Sequence, residues 1–292
     1  MLVDNVAEKT KAAILTTFPE VRMDMDKATI FPMNDILPPQ VSPSLHADAD
    51  ASPQASRRVL DHLDEAGFCF VSGKRMESLL MAGDESALSD WQCFQESWNC
   101  MPRDNYMADG GSYRYRRHAT LSAGPGETTA RLERHQPHYQ GLDYNALNGG
   151  IARHYDPISA EIIGGKTMSS VFALCLQVFG RLSADTAWHI EVHQFRIEAT
   201  AGQAGMPTPE GVHRDGVNFV LVMMVKRSNI ASGTTTIHDL DRNRLDKFTL
   251  TEPFDAALVN DERCMHGVTP VMPLDPGYPA HRDVLVVTLR RK

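Results

Sequence analysis

The segment GVHRDG, residues 211–216, sets an imidazole and a carboxylate two positions apart, His213 and Asp215. In extended backbone, residues two apart project to the same side, so both side chains can hold one object. The run NFVLVMMV that follows is apolar and reads as a buried strand. A third donor, His266, stands far along the chain in DAALVNDERCMHGVTPV, again beside strand-like apolar runs. Two imidazoles and one carboxylate occupy one face of an octahedron and leave three positions open, the ligand set of an Fe(II) ion that must take up a chelating co-substrate and O2. Arg282 opens the last apolar run, RDVLVVTLRR, with Val284, Val286, Thr288 and Arg290 on its face. A guanidinium there can grip a carboxylate through two parallel hydrogen bonds. Alone, an H-x-D pair in a chain with 12 histidines is more often a solvated turn; His266 and Arg282 shift the balance.

These residues need a rigid frame, and the patterning supplies one. From Trp188 the apolar period becomes two. WHIEVHQFRIEA, GVNFVLVMMVKR, SGTTTIHDL, DKFTL, DAALVND, GVTPVM and RDVLVVTLRR follow at short intervals with turn residues between them. Such spacing predicts an antiparallel sandwich or barrel. Upstream, SRRVLDHLDEAG has helical spacing, FCFVSG reads as a short strand, and RMESLLMAGDESALSDWQCFQESWN is helical with a break at Gly83. DPISAEIIGGKTMSSVFALCLQVFGRLS reads as one long helix, weakened at Gly164 and Gly165. A helical part over residues 53–187 is therefore expected to pack on a β-barrel core over 188–292, in a single domain spanning 53–292. Residues 1–52, with the Pro-, Ser- and Asp-rich PMNDILPPQVSPSLHADADASPQAS, form a poorly patterned extension. Between 101 and 155, Gly pairs mix with Tyr and Arg, as in DGGSYRYRR, which suits a binding surface.

Composition narrows the function. The chain is 42% hydrophobic and 23% charged, an ordinary globular balance. A net charge of −8 and a pI near 5.8 supply no basic field for nucleic acid or an anionic membrane. No run reaches the ~18 apolar residues of a membrane span, and the start carries no signal-peptide pattern. Five scattered cysteines without CxxC fit reduced thiols and a cytoplasmic setting. RHQPH places His135 and His138 three apart, near His118 and His154, a spacing usable by zinc; Pro137 and the loop context favour a surface turn. His193 reads as a hydrogen-bonded core histidine.

Taken in order, MADGGSYRYRR, YNALNGGIAR, HQFRI, PTPEGVHRDG, RSNIASGTTTIHD and CMHGVTPV…HRDVLVVTLRR resemble blocks of the Fe(II)/2-oxoglutarate-dependent dioxygenases. Within them, the resemblance is to the L-isoleucine dioxygenase group, which hydroxylates free aliphatic amino acids. It covers roughly residues 55–292. It implies an α+β chain built on a double-stranded β-helix, a jelly-roll or cupin-like barrel with N-terminal helices packed on it. It implies Fe(II) on His213, Asp215 and His266, with 2-oxoglutarate and O2 as co-substrates and Arg282 on the distal carboxylate of 2-oxoglutarate. The implied reaction oxidises an unactivated C–H of a small free L-amino acid and releases succinate and CO2. Hydroxylation is the expected outcome; oxidative cyclisation or desaturation by the same chemistry, and a metal-binding barrel without turnover, are the alternatives.

An amino acid needs a cation for its carboxylate and an acceptor for its ammonium. Arg117 and Arg196 are candidates for the first, with Arg114 and Arg116 beside them. Tyr115, Gln194 and Glu210 are candidate polar partners, and Gln194 shares a strand face with Arg196. Arg214 falls on the face away from iron. NIASGTT departs from the group's pattern, having Ser232-Gly233 where a Gly-Gly pair is expected. Both a monomer and a homodimer are compatible with these features.

Overall fold

The computed structural model describes residues 53–292, so the expected extension, residues 1–52, lies outside the described residues. In chain order the elements are α1 (Pro53–Ala66), β1 (Phe68–Val71), α2 (Gly73–Leu80), α3 (Trp91–Glu96), a 3-10 turn (Ser97–Cys100), β2 (Arg114–Ala123) and β3 (Arg131–Leu132). Then come α4 (Ala160–Ile163), α5 (Lys166–Leu182), β4 (Trp188–Ala199), β5 (Phe219–Ser228), β6 (Ile230–Ser232), β7 (Thr234–His238) and β8 (Arg244–Thr249). The chain closes with β9 (Ala256–Asn260), β10 (Met265–Val268), β11 (Val271–Pro273) and β12 (Ala280–Arg291).

The result is an α+β arrangement of antiparallel sheets. Seven strands form the large sheet in the order β1-β9-β5-β12-β4-β2-β3. A second sheet runs β10-β7-β8, and β11 pairs with β6. The alternation along β4 sets the layers. Ile190 and Val192 point to one face, into a core with Leu121, Leu285, Val287 and Phe219. Glu191, His193, Phe195 and Ile197 point to the other, where they line a cavity.

Helix α5 covers the apolar face because its buried residues recur three and four apart: Met168, Val171, Phe172, Cys175, Val178 and Phe179. Phe179 stacks on Phe219 of β5, centroids 4.8 Å apart and planes within 7°. Such a pair contributes about 0.5–1.5 kcal/mol beyond area burial. No helix among the described residues is long and apolar enough to cross a membrane.

Two expectations change. The long helix is two, α4 and α5. Asp90 accepts the Thr167 N–H at 2.9 Å, so α5 starts on a new cap, and a Cβ at Gly165 would stand 2.2 Å from that carboxylate. The segment 53–187 is also not purely helical. β1, β2 and β3 all join the large sheet, and β2 pairs with β4 over its whole length. The mixed Arg-Tyr run of β2 hid its period, because its alternate residues on the cavity side are charged rather than apolar.

Candidate active site

His213 lies in the approach to β5 rather than within it. It exchanges both backbone hydrogen bonds with His266, each 2.9 Å, and the two rings stand 4.7 Å apart. The strand-like pairing therefore places the distant histidine directly opposite the first. Asp215 Oδ1 lies 3.5 Å from His213 Nε2, and its Oδ2 lies 3.6 Å from His266 Nε2. The three donor atoms fall within 4.8 Å of one another. His213 Nδ1 donates to the Gly211 carbonyl at 3.0 Å, so Nε2 is the nitrogen that faces the carboxylate and is free to exchange its proton for an ion. This donor set and tautomer suit a divalent ion such as Fe(II).

The electrostatics agree with a cation site. Burial would push the His213 imidazolium down, but the carboxylates of Asp215 and Glu210 outweigh it and hold its pKa at about 9. Burial, then the neighbouring His213, pushes His266 down to about 4. Burial would raise Asp215, yet hydrogen bonding to His213 and the two imidazoles hold it well below the usual carboxylate range. An ion held here would take the place of the proton shared between His213 and Asp215.

Asp215 is positioned from behind. Asp261, wholly buried, accepts the N–H of Asp215 and of Gly216 at 2.9 Å and that of Val217 at 3.2 Å. Arg214 turns away, as expected, donating to the Asp261 carbonyl and lying over Tyr144.

Both sheets and the segment 136–153 enclose a cavity of about 460 Å³ that contains the triad. Phe195, Ile197, Val222, Val284 and Val286 form its apolar wall. Arg282 reaches into it, 2% exposed, with Nε and one terminal nitrogen lacking any partner. Burial, then Arg227, pushes it down to about 10, so it stays cationic at neutral pH. An unpaired buried guanidinium is costly and calls for an anion. Next to it, Ser232 and Gly233 both have positive φ, 64° and 75°, which explains why a Gly-Gly pair is expected there. Ser232 holds this conformation with a 3.0 Å contact to the Thr269 hydroxyl.

Glu210 borders the triad, Oε1 being 3.5 Å from His213 Nε2, and its Oε2 is buried without a partner. The other four residues expected at the substrate do not line the cavity. Arg117 donates to the Pro157 and Cys100 carbonyls, each at 2.9 Å, and Tyr115 pairs with Arg103. Gln194 donates to Ser97, and Arg196 forms a bidentate pair with Asp283 at 2.7 Å. Strand parity is the reason: on β2 and β4 the cavity takes 114, 116, 191, 193 and 195, and these four are their alternates.

The cavity instead receives Arg116, Arg153, His138, Glu191 and His193. His138, expected at a surface turn, is buried and donates from Nδ1 to Glu191 at 2.6 Å. Glu191-x-His193 repeats the spacing of His213-x-Asp215, and that was the readable signal. All five cysteines are free.

Comparison with known proteins identifies the class. A model of the 2OG-Fe dioxygenase family matches residues 95–288, and the chain belongs to that family. It is an oxidoreductase that requires Fe(II), 2-oxoglutarate and O2. It is 25% identical over 242 residues to the 3(1)-hydroxy-L-isoleucine 4-dioxygenase of Pantoea ananatis, covering 79% of this chain and 94% of that one. It is 26% identical over 168 residues to the L-isoleucine-4-hydroxylase of Bacillus thuringiensis, covering 55% of this chain and 68% of that one. The crystal structure of a bsmA homolog from Methylobium petroleophilum is similar with a TM-score of 0.72 and 35% identity, over 80% of this chain and 92% of that one. Both curated relatives carry names for dioxygenase or hydroxylase action on isoleucine or its hydroxy derivative.

Proposed function

We propose that this oxygenase oxidises an unactivated C–H bond of a small free L-amino acid, aliphatic in its side chain, by hydroxylation. The carrying observation is one cavity that joins the His213–Asp215–His266 cluster, the unpaired Arg282 and an apolar wall. In this reading the two sheets form a double-stranded β-helix around the cavity. His213, Asp215 and His266 hold Fe(II), and Arg282 takes the distal carboxylate of 2-oxoglutarate. Bound iron supplies the oxidation of the C–H bond by O2, coupled to conversion of 2-oxoglutarate into succinate and CO2. The chain's own part is placement and dryness: the apolar wall presents one C–H and keeps water from it. Glu210 is a polar contact at the metal edge of the substrate. The names of the two curated relatives support an isoleucine-like substrate. Free buried thiols fit a cytoplasmic setting.

The test is a panel of aliphatic amino acids incubated with the protein, Fe(II), 2-oxoglutarate and air, followed by succinate assay and product mass. A gain of one oxygen atom is expected. A loss of two hydrogens marks desaturation or cyclisation instead, and absence of amino-acid-dependent succinate overturns the reading.

A further inference from the structure

Arg282 is not the only buried guanidinium in the cavity without an acid. Arg116 is 5% exposed and Arg153 is 1% exposed, and among the described residues neither forms an ion pair. Arg116 is fixed between aromatic faces, 4.2 Å from the Tyr155 centroid and 4.5 Å from that of Phe195. Its terminal nitrogens contact only neutral groups, Tyr155 Oη at 3.0 Å and His193 Nδ1 at 3.1 Å, and its Nε has no partner. Arg153 donates to the side-chain Oε1 of Gln140 at 3.4 Å, and its Nε is likewise unpartnered. In the proposed reaction, 2-oxoglutarate brings two carboxylates, one for Arg282 and one for the metal. Two cations remain, and the substrate must supply the anion.

The opposite charge stands one imidazole away. Arg116 can only donate, so His193 Nδ1 accepts and its ring proton sits on Nε2. That nitrogen faces Glu191 Oε2 at 3.6 Å. Glu191 is thus a carboxylate among imidazoles, lying across His193 from a guanidinium. A zwitterion has the two charges to bridge them.

The same imidazoles raise a rival. His118, His138, Glu191 and His193 are near enough to hold an ion, and both ring nitrogens of His118 lack partners. Two observations oppose a metal. The hydrogen bond from Arg116 puts a proton on the very nitrogen His193 would offer. Arg116 and Arg153 add two positive charges beside a single carboxylate.

Resting on the proposed function, we infer that Arg116 and Arg153 bind the α-carboxylate of the substrate and Glu191 its α-ammonium, so the enzyme requires an amino acid with both ends free.

Calorimetric titration of the full chain, loaded with Zn(II) and 2-oxoglutarate, tests this with L-isoleucine, L-isoleucinamide and N-acetyl-L-isoleucine. Wild type is expected to bind L-isoleucine on the order of 100-fold more tightly than either derivative. Arg116→Met and Arg153→Met are expected to lose L-isoleucine binding by a similar factor while keeping wild-type affinity for 2-oxoglutarate, which shows that they fold; Arg116→Lys restores part of it. Glu191→Gln is expected to lose the preference for L-isoleucine over its N-acetyl derivative. Unchanged L-isoleucine affinity in both arginine variants overturns the inference while leaving the function standing. A second equivalent of metal bound by wild type and lost in Glu191→Gln overturns it in favour of a metal site. If wild type holds 2-oxoglutarate but no amino acid, the proposed function falls first.

Discussion

The Asp261 carboxylate grips the backbone of Asp215, taking its N–H at 2.9 Å and the next two N–H groups in turn. Asp215 sits in irregular backbone ahead of β5, so no sheet ladder fixes it. The buried carboxylate from the segment after β9 takes that role, and β9 is itself bonded to β5. The position of one proposed metal ligand therefore depends on a residue outside the proposed ligand set.

Burial, then the neighbouring Asp215, pushes Asp261 up to about 7, and its two oxygens share three N–H donors, so Asn would set an NH2 group against at least one of them. An unsatisfied buried donor costs about 1–3 kcal/mol, and supporting residues of this kind change metal affinity by about 10–100-fold. Asp261→Asn is expected to lower the melting temperature and weaken Co(II) binding at least tenfold. A variant with wild-type Co(II) affinity would show that Asp215 needs no such support.

Arg282 should act on the co-substrate alone. Removing one partner of a buried charge pair costs about 2–5 kcal/mol, so Arg282→Met is expected to raise the Kd for 2-oxoglutarate at least 30-fold. Metal affinity should hold. Equal 2-oxoglutarate binding by Arg282→Met and wild type would move the co-substrate carboxylate elsewhere.

Arg117 is the internal control for strand parity. It ties β2 to the Pro157 and Cys100 carbonyls, away from the cavity. Arg117→Ala is expected to reduce stability by about 1–2 kcal/mol with the KM for substrate unchanged. A large rise in KM at wild-type stability would put Arg117 at the substrate after all.

His213 titrates with the opposite sign to the histidines around Glu191 and to His266. Burial pushes His118 down to about 3 and also lowers His138 and His193. Below pH 6.5 the unfolded chain therefore takes up more protons than the folded one, and stability falls as pH drops from about 6.5 toward 3. Glu191, held far below its ordinary range chiefly by its histidine hydrogen bonds against the cost of burial, adds to that loss at the acid end. His213 is raised to about 9, so the metal-free protein loses its contribution as pH climbs through that value. In the proposed site a metal would displace this proton, so Co(II) affinity is expected to rise with pH up to about 9. Urea unfolding at several pH values and Co(II) titration measure the two arms; a flat acid limb contradicts the buried neutral imidazoles.

The triad was legible because its chemistry is written in residue types, two imidazoles, a carboxylate and a later arginine on apolar runs. The strands from Trp188 onward were legible because a sheet with one apolar face repeats every two residues. The substrate face was not. On β2 and β4 both faces carry polar residues, so parity could not tell Arg116 from Arg117 or His193 from Gln194. Only the cross-strand register, with His118 opposite His193, fixes which set faces the cavity. Asp261 was hidden for another reason: its role is hydrogen bonding to backbone, which leaves no spacing to read.

The most direct measurement is the ratio of succinate to oxidised amino acid in wild type and His213→Ala, assayed side by side with Fe(II), 2-oxoglutarate, O2 and L-isoleucine. Wild type should give one succinate for each product molecule that has gained an oxygen, and His213→Ala should give neither. Undiminished turnover in His213→Ala would contradict the assignment of the triad.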